Sequence, residues 1–135
     1  MEKLNLLKKT INELNNEITS CEITIQKNIE KITKLMESTE EKDFDLMILY
    51  VNIILKENKE HSLDDAYGIL LSIEKEGINN FDWNYLMAKV DFEMGIYDEG
   101  IEYVKKALEI NTTNGEAKKL FEKMKNMINY IKSKI

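Results

Sequence analysis

The sequence predicts an all-α protein: a long N-terminal coiled-coil helix, two helical hairpins and a C-terminal capping helix. Three observations lead there. The 135 residues include no proline and only five glycines, the two residues that most disfavour helix interiors. Apolar residues recur every seven positions over residues 4–35, which is a helical and not a strand spacing. Two similar segments, Asp64-Asp65-Ala66 and Asp98-Glu99-Gly100, lie 34 residues apart, a period typical of stacked helical hairpins.

The first element, residues 1–37, rests on its heptads. Leu4, Ile11, Ile18, Ile25 and Ile32 form one series, and Leu7, Leu14, Cys21, Asn28 and Leu35 the other. Isoleucine in the first series with leucine in the second is the pattern of a two-stranded coiled coil. These ten residues form the expected seam of a homodimer. In a parallel pair, Lys3 would face Lys8 of the mate and Glu17 would face Glu22, both repulsive. An antiparallel pair avoids those clashes. Exposed charge pairs contribute only about 0.2–1 kcal/mol each, far less than the apolar seam, so charge biases orientation without forbidding dimerisation. Ile23, Ile29 and Met36 widen the stripe, which also allows that end to pack on the rest of the chain.

The remaining elements follow from caps and breakers. Ser38-Thr39-Glu40-Glu41 reads as a capping box opening a second helix that runs to about Asn58. Lys59–Ser62 is polar and expected to be a loop, with Ser62 or Asp64 capping a third helix that ends at Gly77. Asn79-Asn80 opens a fourth helix over Phe81–Met94, and Gly95 stops it. A fifth spans about Asp98–Ile110. Thr112–Gly115 turns, and a final helix runs to the end, with Leu120, Phe121, Met124, Ile128 and Ile131 as its expected buried stripe.

Residues 95–114, GIYDEGIEYVKKALEINTTN, resemble the second half of a tetratricopeptide (TPR) repeat. Tyr97-Asp98-Glu99 stands at the turn into the second helix, and Gly100, Ala107 and Leu108 at its small, small and leucine positions. Superposing the segments pairs Leu46 with Trp83, Leu49 with Leu86, Val51 with Ala88, Ile53 with Val90, and Leu70 with Val104. The resemblance covers about residues 41–114, as repeats at about 41–78 and 79–114, with 115–135 as the cap. Thr112 occupies the place where the family usually has proline. Small side chains let helices approach closely, so Ala88, Gly100 and Ala107 predict tight packing, with Trp83 anchoring the second repeat.

The resemblance implies a scaffold whose first helices line a groove for an extended peptide or partner helix. The matching positions are Asp45, Ile48, Asn52 and Lys56 from one repeat, and Asp82, Tyr85 and Lys89 from the next. Members that hold the carboxylate tails of heat-shock chaperones use basic and asparagine residues on this face. Ile48 and Leu86 stand at two such positions, which argues against that specialised activity.

Charge divides the chain into three. Residues 1–36 carry a net +1, residues 37–102 a net −12 and residues 103–135 a net +5, for −6 in all. All 19 basic residues are lysine, so no guanidinium is available for bidentate phosphate or guanine recognition, and nucleic acid is not the expected partner. The acidic middle suits a basic or neutral ligand, or simply a solvated surface. A single cysteine cannot close an internal disulfide, which fits a reducing compartment. Neither a signal-peptide core nor an apolar run of membrane-spanning length is present, and the expected setting is cytoplasmic.

Catalytic patterns are missing. His61 stands without a second histidine or a neighbouring cysteine, and Cys21 falls on the apolar seam. The pairs Asp64-Asp65 and Asp98-Glu99 sit at helix starts, where carboxylates suit the dipole. There is no glycine-rich phosphate loop and no metal-ligand or triad spacing. The expectation is a non-catalytic adaptor without cofactor or metal, self-associating through residues 4–35 and binding a protein or peptide in a TPR groove. Two alternatives stand beside it. In one, the N-terminal helix folds back over an effector- or peptide-sensing groove. In the other, the chain is a subunit of a hetero-oligomeric assembly.

Overall fold

The computed structural model describes Glu30, residues 44–55 and residues 60–135. The whole heptad seam, the capping box at Ser38–Glu41 and Lys56 lie outside the described residues. Two units make up the chain, residues 1–66 and residues 67–135. Among the described residues the structure is helical, without strands: α1 (Phe44–Leu55), α2 (Glu60–Ser72), α3 (Glu74–Gly77), α4 (Phe81–Met94), α5 (Tyr97–Ile110) and α6 (Gly115–Ser133). The all-α class is as the sequence predicts.

In the first unit, α1 is predominantly apolar. Leu46, Met47, Ile48, Val51, Ile53 and Ile54 are buried, leaving few positions for a polar face. Such a helix is a core element, since an amphipathic surface helix would keep a broad polar stripe.

The third predicted helix is displaced at both ends. It begins at Glu60, not at Ser62 or Asp64, and Ser62 is buried within its first turn. Glu60-His61-Ser62 contains no glycine or proline, and polarity alone does not stop a helix. At the other end α2 stops at Ser72. The Ser72 hydroxyl donates to the Ile69 carbonyl at 2.6 Å, and the Ile73 amide donates to Leu70 O at 3.2 Å. Both bonds tighten the last turn and compete with helical continuation. Ile73 then leaves the helical region at φ −115°, ψ 18°, before the single turn of α3.

α4 forms where the sequence places it. The Asn80 side chain accepts from the Trp83 amide at 2.9 Å, a side-chain cap on one of the helix's unpaired amides. Gly95 closes the other end at φ 80°, a left-handed conformation that favours glycine. Its amide donates to Phe92 O at 3.1 Å and the Ile96 amide to Asp91 O at 2.8 Å, the paired bonds of a Schellman turn. α6 has a similar start: Asn114 Oδ1 accepts from the Ala117 amide at 3.0 Å. The turn lacking the usual proline is organised instead by Asn111, whose Oδ1 accepts from the Thr113 amide and hydroxyl.

The second unit's core is the stack α4–α5–α6. Ala88, Val104, Ala117, Leu120 and Met124 are buried together, with Tyr85, Ile101, Leu108 and Phe121 packed around them. Gly100 and Ala107 are buried on α5, as the small-residue positions require. The α6 stripe is shorter than the sequence suggests. Leu120 and Met124 are buried and Phe121 and Ile128 half-buried, but Ile131 is 44% exposed, because the last turns of α6 pass beyond the buried stack. In four of the five superposed pairs (Leu46 and Trp83, Val51 and Ala88, Ile53 and Val90, Leu70 and Val104) both residues are fully buried.

Candidate binding face on the repeat helices

α4 positions the best-defined part of the candidate face. Its inward residues Trp83, Leu86, Met87, Ala88 and Val90 are buried, while Asp82 and Lys89 are exposed and Tyr85 is half-buried. Phe81, Tyr85 and Lys89 follow at helical spacing of four, which puts them on one side. The Phe81 and Tyr85 rings lie 6.0 Å apart at a tilt of 34°, within the range of favourable aromatic pairs. Burial and the Glu116 carboxylate of α6 raise the Tyr85 phenol above its ordinary value. Asp82, Tyr85 and Lys89 thus form an outward row, with Glu116 acting on its middle member.

Two things fix that row. The Trp83 indole is fully buried, its Nε1–H donates to Leu70 O at 2.8 Å, and it meets Tyr103 edge-on with centroids 5.5 Å apart and an angle of 84°. Asn84, also buried, donates its amide to Ile78 O at 3.1 Å and Asn80 O at 2.8 Å. Asn80 O also accepts from the Asn84 backbone amide at 3.2 Å, so Ile78 O, in the turn after α3, is the carbonyl that depends on this side chain. Asn84 is a structural residue that periodicity alone does not reveal, because a polar residue on an inward face reads as an interruption.

On α1, Asp45 is exposed, Asn52 is half-buried with its amide donating to Ile48 O at 3.2 Å, and Ile48 is buried at 7% exposure. An outward set on α1 therefore contains Asp45 and part of Asn52, and little of Ile48. Lys56 lies outside the described residues.

The chemistry of this face is that of contact: aromatic rings, one ammonium and carboxylates. Among the described residues, no group of three or more His, Cys, Asp or Glu side chains is arranged to hold a metal ion, and no helix is long and apolar enough to cross a membrane. A half-open groove of about 290 Å³ lies between the α4–α5 turn and the end of α6, lined by Gly95, Tyr97, Asp98, Ile128, Ile131, Lys132 and Ile135. Among the described residues that line it, Asp98 and Lys132 carry charged side chains.

No protein-family model matches the chain, and no curated protein matches it in sequence. Its structure is similar to the C-terminal TPR-containing domain of a Plasmodium falciparum protein described as FK506-binding. The TM-score is 0.62 and the identity 21%, over 98% of this chain and 94% of that one. The α4–α5 hairpin, small residues at its close approaches and a buried Trp83 agree with that likeness. The chain has the tetratricopeptide-repeat fold.

Proposed function

We propose that this chain is a non-catalytic cytoplasmic adaptor, which self-associates through residues 4–35 and holds a protein or peptide against the outward face of its TPR helices. The observation that supports it most is the division of α4. One side is locked into the core by Trp83 and Asn84, while Asp82 and Lys89 are exposed on either side of the half-buried Tyr85. A rigid helix presenting an aromatic and both signs of charge recognises polypeptide by shape and charge without reorganising, which lowers the cost of binding.

The self-association half rests on the heptads of residues 4–35, and sedimentation of the full chain tests it. The expected species has twice the 15.9 kDa chain mass, and Ile18→Lys in the seam returns it to one chain. A single-chain mass at every concentration contradicts that half and leaves the α4 face untouched.

A further inference from the structure

Asp91 lies on α4 but away from its outward row. It is fully buried, and among the described residues no N–H or O–H donor reaches either carboxylate oxygen; the group beside it is the Glu99 carboxylate. Buried polar groups are normally satisfied, and an ionised carboxylate without partners is costly in such a place. The backbone of α5 closes over it: a Cβ added at Gly100 would stand 3.0 Å from Asp91 Cβ and 2.9 Å from Met124 Cε.

The groups around Asp91 explain how it is tolerated. Glu99 of α5 acts on it most strongly, and one oxygen of Glu99 accepts from the Tyr67 hydroxyl of α2 at 3.0 Å. Tyr103 of α5 and Glu74 of α3 belong to the same electrostatic cluster, and α6 contributes the uncharged Met124. None of these groups is a cation. The unpaired oxygens are those of a carboxylate, an acceptor only; a protonated Asp91 becomes a donor, and the Glu99 carboxylate is the acceptor beside it.

We propose that Asp91 and Glu99 share one proton across the α4–α5 hairpin, and that losing this proton loosens the hairpin, making it a pH-sensitive latch. Without the proton, two carboxylates face each other where the α5 backbone leaves little space for water. Relief then requires α4 and α5 to separate. Burial first, then the Glu99 charge and a hydrogen bond with the Glu99 side chain, push the Asp91 carboxyl up from 3.8 to about 7. The folded pKa is thus the raised one. The latch contributes fully below the unfolded value near 3.8, and its contribution is lost as pH rises through about 7.

Carboxyl carbon NMR of the full chain, with thermal melting across the same pH range, tests the latch. The expected Asp91 midpoint is near 7, and the melting temperature falls by roughly 5–10 °C between about pH 5 and about pH 9. Asp91→Asn flattens that dependence. Glu99→Gln moves the Asp91 midpoint down. An Asp91 midpoint among the ordinary carboxylates overturns the proposal even if neither variant folds. So does a midpoint unmoved by Glu99→Gln, or an Asp91→Asn melt as pH-dependent as the wild type.

Discussion

Trp83 and Gly77 occupy one another's space: the indole ring lies where a Cβ on Gly77 would have to be. Gly77 ends α3 and is buried, and Trp83 is held by its bond to Leu70 O and its edge contact with Tyr103. Neither can yield cheaply.

Gly77→Ala should therefore destabilise the protein by about 1–3 kcal/mol through overpacking. Gly68→Ala gives the contrast. Gly68 is exposed within α2 and nothing stands within 4 Å of its added Cβ. There the change should stabilise by about 0.5–1 kcal/mol, as removing a mid-helix glycine does. Urea unfolding of the two variants checks both signs. Equal effects would mean that the Trp83–Gly77 contact does not constrain the fold.

The sequence makes α4 and the start of α6 legible because they carry local signals at their ends. Asn80, Gly95 and Asn114 each cap or stop a helix as their chemistry predicts. It is less informative at the join of α2 and α3, where the break depends on the Ser72 hydroxyl and on Gly77 yielding space to Trp83. Those are a local competition and a distant contact, and neither has a periodicity. Asp91 is illegible for the same reason: its place is set by Glu99 and Gly100 across the hairpin, not by neighbours along α4. Of the candidate face, Asp82, Tyr85 and Lys89 have outward or half-outward positions, whereas Ile48 follows the apolar composition of α1 into the interior.

Asn84 tests how the turn before α4 is held. Asn84→Leu keeps the branched outline but removes the side-chain donor to Ile78 O, while Asn80 O retains the backbone amide of residue 84. Buried carbonyls left unpaired cost about 1–3 kcal/mol. Asn80→Ala, which deletes the cap on the Trp83 amide, should cost about 1 kcal/mol. Denaturant midpoints measured side by side should rank Asn84→Leu as the more damaging.

Alkaline titration reports on the Trp83 neighbourhood. Burial first, then the charges of Glu99 and Asp91, push the Tyr103 phenol up to about 12. Tyr67 is raised as well, by burial and by its bond to Glu99. Tyrosinate absorbance of the folded chain should thus rise in two phases, and Tyr103→Phe should remove amplitude from the later one. Loss from the early phase would place Tyr103 in solvent.

The adaptor proposal requires that the outward side of α4 bind polypeptide. Its most direct test compares proteins captured from cell extract by three full-length baits: wild type, Tyr85→Ala with Lys89→Glu, and Lys118→Glu on an exposed part of α6. All three changed positions are exposed or half-buried, so the fold should persist. The prediction is a partner held by the wild type and by Lys118→Glu, and lost with the α4 double variant. Equal capture by all three baits would contradict the claim.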